Sequence, residues 1–572
     1  MDLAALTGPR LFIILGVTDP PEFPLNRYLP ALATACALFV AVPCQGQQSE
    51  RSAQRDVVVI ATPGDINTPI PTVNDNLTNY EVINLLYLRL AELGPTLSTV
   101  GDRGFRPMLA RSWRRRNAVT LAFDLDPRAT WHDGKPVTAA DVVFSYQRAI
   151  ELSDVASVLR RITSVKAEGN RRVVFTFSQP YGEQFYDATY HLLIVPSHLL
   201  ASVPRDSLPT SAFARNPVGN GPFRWSRHVP GQLIELVANE RFFLGAPTVK
   251  RVIFRVATDA EARINMILSG EADVVPYLNP SAQSRARQDS TLELVPVMSA
   301  SLTYALFNQR ANGDRSKPHP ILTDRNVRRA LLLALDRDAM IRAAYGGHAT
   351  VADGPVPQTL SWIKTPGLVP LKQDRALART LLRDAGWADS NGDDILDKDG
   401  MPLELAINVP NNTPQRPMMA QAMQAQFREI GVKLNVLLVD AGVFIQRRNN
   451  GQFDIDMSSA NLDPTPSGWN WSWSCAGAGK PGRGVGSYCN PRIDSLLERA
   501  NSAPDPVPFF RQILGIIRED VPAIFLAAPS MVVAVHERFS NRPFRAETPW
   551  LSLREWRVRP VSSSSVRGRG TD

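Results

Sequence analysis

Residues 121–146 read LAFDLDPRATWHDGKPVTAADVVFSY, and their order of signals sets the fold class. Residues 119–125 alternate apolar and polar as a half-buried strand does. Trp131-His132-Asp133-Gly134 then forms a turn, with glycine where the backbone reverses. Thr138 is placed to cap the helix of residues 139–151. Asp141 stands three positions on, in place of the usual Glu of a capping box. A strand, a turn and a capped helix within 26 residues announce a mixed α/β chain.

The same alternation of elements continues outward in both directions. Upstream, residues 56–61 (DVVVIA) form a buried-strand run and residues 79–93 read as a helix. Downstream, strands are expected at 173–177, 233–237 and 249–256, then a helix at 259–269 that ends at Gly270, a residue free to adopt a left-handed cap. From Thr323 the chain turns mostly helical, with helices expected at 326–344, 374–386 and 418–431 and strands at 403–409 and 433–439. The pattern predicts at least two large α/β lobes.

Composition agrees with a folded, non-fibrous chain: of 572 residues, 44% are hydrophobic and 21% charged, near the ~25% charged usage of globular proteins. The length suffices for several structural units with sizeable cores. The net charge of +8 comes from 63 basic and 55 acidic residues spread along the chain. The densest basic cluster, Arg111 with Arg114-Arg115-Arg116, encloses a single Trp and lacks the stacking aromatics of a nucleic-acid surface. No nucleic-acid partner is expected.

One long uncharged stretch occurs near the N-terminus. Residues 28–44 (YLPALATACALFVAVPC) have the length of an export signal and precede the polar segment 45–50. Residues 1–55 are therefore read as export signal and linker, with an uncleaved anchor as the rival, and the true start could lie nearer Leu25. Cys36 and Cys44 loosely fit lipid-attachment sites. The exported part then retains Cys475 and Cys489, 14 apart in a Gly-rich loop, and these are expected to form a disulfide. The tail at 561–572 (VSSSSVRGRGTD) reads as disordered.

Motifs for chemistry fail on context. Residues 477–482 match G-x-G-x-x-G, but no strand precedes them and no helix follows to hold a phosphate. Ser361-x-x-Lys364 lacks the helix and partner motifs of an acyl-transfer site. The seven histidines show no i, i+4 zinc spacing. The acidic run from Asp389 to Asp399 places Gly392 fourth and Gly400 twelfth, the wrong order for a calcium loop, and a solvated β-hairpin is expected instead. No nucleophile with a base in reach emerges, so neither catalysis nor a cofactor is expected.

Five segments together resemble the extracytoplasmic solute-binding proteins of peptide and nickel ABC importers. They are residues 121–146, residues 216–246 (NPVGNGPFRWSRHVPGQLIELVANERFFLGA, with Asn220 where the family usually has Thr), 324–336 (DRNVRRALLLALD), 376–387 (ALARTLLRDAGW) and 488–497 (YCNPRIDSLL). The resemblance runs in register from about Asp56 to Arg559. It implies a two-lobe periplasmic-binding-protein fold whose lobes close on a solute by a hinge. On this pattern residues 56–96, 205–302 and 535–560 build lobe I, 97–204 an extra subdomain of it, and 303–534 lobe II.

The resemblance also implies a monomer that captures a peptide or peptide-like solute outside the cytoplasmic membrane and delivers it to an ABC permease. A nickel or metal-chelate ligand is the rival on the same fold; a chaperone-like binder and an exported hydrolase are weaker ones. In peptide-binding members an Asp after a Phe/Tyr-Asp strand pairs the ligand's α-ammonium. Counting ungapped from Phe453-Asp454 puts it at Asp463, whereas counting back from Pro464 reaches Ala460; the ungapped count is preferred. The Gly-Trp that usually precedes this Asp is Ser459-Ala460 here, which departs from an ordinary peptide pocket.

Further ligand contacts are expected from Trp469, Trp471 and Trp473, which at i, i+2, i+4 would share one strand face and stack on a solute. Packing of all three in the core of lobe II is the alternative. Tyr304 and Asn308 lie on a strand resembling the family's crossing into lobe II. Arg416 is the nearest candidate cation for a ligand carboxylate, with a surface role equally open.

Overall fold

The computed structural model describes residues 56–71, 76–152, 159, 161–367, 369–462, 465–480, 484–546 and 548–559. The export run, Cys36, Cys44, Asp463 and the 561–572 tail lie outside the described residues. Among those described, no helix is long and apolar enough to cross a membrane.

The largely β-branched run Val57–Thr62 is buried except at the partly buried Val59 and sits inside a seven-stranded sheet. It pairs parallel with Arg251–Val256 on one side and with Val274–Val275 on the other. Antiparallel strands Leu233–Ala238 and Phe223–Val229 extend one flank; Met531–His536 and Leu292–Val297 extend the other. A separate four-stranded antiparallel sheet combines Ala110–Asn117, Thr120–Leu125, Arg172–Phe177 and Ile162–Glu168. Its core residues Phe123, Phe175 and Tyr146 belong to the same continuous cluster as Val58, Phe254 and Trp550. Both sheets are thus buried against one continuous core.

The 121–146 segment folds as its sequence implies. Asp141 accepts the Thr138 backbone N–H at 2.8 Å and the Thr138 hydroxyl at 3.0 Å, so the shorter acid still reaches back across the cap. His132 fastens this turn to the second motif. Its Nδ1 accepts the Gly219 N–H at 3.1 Å and its Nε2 lies 3.1 Å from the Gly221 carbonyl. One acceptor and one donor are the complement of a neutral imidazole, and burial lowers the His132 pKa to about 4. Gly219 is required by a close approach: a Cβ there would stand 2.0 Å from the Leu86 carbonyl oxygen. Asn220 is fully buried and accepts the Leu88 N–H at 2.8 Å.

Lobe II is built on a six-stranded sheet ordered Ala349–Val351, Ala523–Pro529, Ser301–Phe307, Ile455–Asn461, Glu404–Pro410 and Lys433–Val439. Its two faces bury separate cores. Ala305 and Phe307 point into one, with Leu331, Ile407 and Phe427; Leu302 and Leu306 point into the other, with Trp469, Phe510 and Phe525.

The structure departs from several expected boundaries. The helix expected at 79–93 is Leu77–Leu86, because residues 88–90 turn their backbone groups to Asn220, Met108 and Ala110 instead. The single helix expected at 326–344 is two, Arg325–Leu333 and Arg337–Tyr345, the second capped by Asp336 on the Ala339 N–H. The chain leaves the first sheet at Val297 and enters the second at Ser301, then returns at Ser530. The return strand begins at Met531, ahead of the expected switch at 535, since all of it pairs with Leu292–Val297. In the acidic run, Asp397–Lys398 and Met401–Pro402 form the expected hairpin, and Asp389 accepts N–H groups of Gly392, Asp393 and Asp394.

Candidate functional site

Both crossings between the sheets, residues 298–300 and Ser530, line a single cavity of ≈ 1090 Å³. Lobe I closes one side with Tyr80, Ile83, Arg89, Tyr190, His191 and Tyr277; lobe II closes the other with Thr303, Tyr345, Thr413, Arg416, Ser459 and Asn461. The walls mix apolar and aromatic surface with a few polar groups, the usual make-up of a small-molecule site.

The lobe I wall is held rigidly from behind. Arg89, 7% exposed, donates from Nε to the Tyr190 carbonyl at 2.6 Å and from Nη1 to Asn84 Oδ1 at 2.5 Å, and lies 5.1 Å over the Tyr190 ring. Tyr277 adopts φ 61°, the left-handed region, and its hydroxyl donates to Glu81 Oε1 at 3.2 Å. Glu81 is buried beneath it, and loss of water pushes its carboxyl up to about 7. His191 Nε2 lies 3.4 Å from Asp187 Oδ1.

The lobe II wall is arranged differently. Thr303 Oγ1 is 3.1 Å from Ser459 Oγ on the neighbouring strand and 3.0 Å from the hydroxyl of Tyr345, the last residue of the helix Arg337–Tyr345. Arg416 is half-buried in the first turn of the helix Gln415–Arg428. Its Nε donates to Thr413 Oγ1 at 2.9 Å and its Nη2 to Asn412 Oδ1 at 2.5 Å. Both partners are neutral, and burial holds the Arg416 guanidinium below its usual range, opposed by the Tyr345 hydroxyl. The helix begins after Pro414 with no side-chain cap, so its first N–H groups and Arg416 favour an anion at the same place. Among the described lining residues there are two arginines and no Asp or Glu.

Arg416 is thus the expected contact that reaches the cavity, and several others do not. Trp469–Ser472 is a helical turn rather than a strand. Helical spacing puts Trp469 and Trp473 on one side, where they are 3% and 6% exposed against Phe510, Phe525 and Tyr488. Trp471 faces the opposite way and is 44% exposed. None of the three lines the cavity. Tyr304 is on the wrong face of its strand by one residue: it packs 6.1 Å from the Phe525 ring, while Thr303 meets the cavity. Asn308 is fully buried and spent on backbone, donating to the Gly451 and Phe453 carbonyls and accepting the Arg310 N–H. Leu462 lines the cavity, next in the chain to the undescribed Asp463.

The sequence reading missed the lobe I wall. One signal was present: Arg89 interrupts an otherwise apolar run, LLYLRLA, and a cation in a buried segment implies dedicated partners. Cys475 and Cys489 form the expected disulfide, which closes the loop that follows the tryptophan turn.

Known proteins share both the sequence and the fold. Residues 104–481 match the bacterial extracellular solute-binding proteins, family 5, middle region. The oligopeptide-binding protein AppA of Bacillus subtilis is 27% identical over 544 residues, covering 91% of this chain and 96% of that protein. Its structure in complex with a nonapeptide superimposes with a TM-score of 0.67 over 88% of this chain and 99% of that one. The dipeptide-binding protein of Escherichia coli is 24% identical over 504 residues, covering 83% and 90% of the two chains. NikZ of Campylobacter jejuni, in complex with Ni(L-His), is 25% identical with a TM-score of 0.70, covering 88% of this chain and 99% of that one. The chain belongs to the family 5 bacterial extracellular solute-binding proteins.

Proposed function

We propose that this protein captures a peptide or peptide-like solute between its lobes and delivers it to the transmembrane subunits of an ABC importer. The observation that carries this reading is the interlobe cavity, floored by both crossings, with one wall from each lobe. Its volume of ≈ 1090 Å³ lies just above the roughly 300–1,000 Å³ of ordinary ligand pockets and suits an oligopeptide better than a single amino acid. Arg416, without an acid partner and beside an uncapped helix start, is the group that receives a ligand carboxylate. Asp463 takes the ligand ammonium on this reading. Neither role involves bond making or breaking.

The names of the oligopeptide- and dipeptide-binding relatives support the solute class. A metal chelate is the second reading, favoured by the likeness to NikZ and by His191 in the cavity wall. Calorimetric titration with defined peptides of two to nine residues, alongside Ni(II) with histidine, separates the two. Peptide binding lost on amidating the ligand's C-terminus supports the proposal; heat only from the nickel–histidine mixture overturns it.

A further inference from the structure

Far along the chain from both crossings, the lobes touch at a second place. Glu183 belongs to the subdomain of lobe I and is 8% exposed. Its Oε1 accepts the hydroxyl of Thr99 from its own lobe and that of Thr465 from lobe II. Its Oε2 accepts the Ser467 hydroxyl, also from lobe II, at 2.9 Å. The neighbouring Gly182 lies equally close to lobe II: a Cβ there would stand 2.7 Å from Pro506 Cδ and 3.0 Å from the Pro504 carbonyl oxygen.

We propose that Glu183 is an interlobe latch, whose bonds to Thr465 and Ser467 form when the cleft shuts and set the balance between open and closed states. Two features fit a contact that is made and broken. The lobe II donors are neutral hydroxyls on a short 3₁₀ turn, Pro466–Gly468, so opening returns them to water without stranding a charge there. Opening also rehydrates the carboxylate while Thr99 remains bonded to it. Burial, with Asp187 nearby, raises the Glu183 pKa, so shutting the cleft places a carboxylate where charge is disfavoured. Three hydroxyl donors offset that cost, and losing the two from lobe II tips the balance toward open. Gly182 permits the approach, since any side chain would meet the Pro504–Pro506 segment before Glu183 reached its partners.

The inference rests on the two-lobe reading of the cleft and concerns the same site, but its test needs no ligand. Small-angle scattering of the ligand-free full chain is compared for wild type, Glu183→Ala, the pair Thr465→Val with Ser467→Ala, and all three together. Unchanged thermal unfolding of the Thr465/Ser467 variant shows that the fold survives. The latch predicts that each variant raises the radius of gyration by on the order of 1 Å above the roughly 25 Å of a compact chain this size. It also predicts that the triple variant is no larger than either parent, because both remove the same bonds. An unchanged radius in Glu183→Ala, or expansions that add in the triple variant, overturns the latch. Failure of peptide binding alone would leave these results standing and would count against the proposed solute only.

Discussion

Two stretches of lobe II carry side chains suited to holding a solute, and they do opposite things. At residues 469–473 the aromatic surface is turned inward, where Trp469 and Trp473 complete the core shared with Phe510 and Phe525. At residues 412–416 the chain carries little apolar surface to bury, and its cation is left facing the cavity with only Asn412 and Thr413 as partners. A cluster of large aromatics is drawn to whichever core lies within reach. A guanidinium paired only with neutral groups keeps its charge uncompensated, which is why Arg416 is the proposed carboxylate contact.

That contrast can be broken most sharply at Trp469. Its replacement by Ala should cost about 3–5 kcal/mol of folding stability, read by denaturant unfolding, with ligand affinity of the folded fraction unchanged. A large affinity loss without destabilisation would return the tryptophan to the binding wall.

The lobe I wall offers a pH test of the same division between support and contact. The folded Glu81 pKa of about 7 lies above its unshifted 4.5. Its contribution to stability is therefore fully present below pH 4.5 and lost as the pH rises through 7. Glu81→Gln should gain on wild type by on the order of 2 kcal/mol between pH 5 and pH 8. Unfolding curves of the two proteins that move in parallel with pH would contradict the burial of this carboxyl.

Arg416→Ala gives the smaller, functional side of the comparison. Peptide affinity should fall roughly tenfold or more, as for loss of one charge-assisted hydrogen bond, with stability nearly unchanged. Calorimetry and a melting curve on the same sample read both, and the reverse pattern would make Arg416 a structural residue. Trp471→Ala should do least, within about 0.5 kcal/mol of wild type and with unaltered affinity.

How much was legible follows from which physics decides each feature. The 121–146 cap, the buried Val57–Thr62 strand and the Cys475–Cys489 bond depend on near neighbours or on chemistry that few residues can supply. The tryptophan segment was misread because spacing of two fits a strand, while its actual helical turn is stabilised by distant partners at 510 and 525. Tyr304 illustrates the sensitivity of strand register, where one step exchanges the cavity for the core. The Glu183 contact was invisible for a different reason. Its partners lie on the other lobe, and nothing in the local sequence indicates their approach.

The central claim, a peptide-like solute held between the lobes, is tested most directly by what the protein carries. Native mass spectrometry of the chain recovered from its exported compartment, repeated after mild denaturation, releases and fragments any bound molecule. The account predicts short peptides in the released fraction, reduced in Arg416→Ala. A released metal chelate with no peptide, or a chain that comes away empty and rejects peptide mixtures, would contradict it.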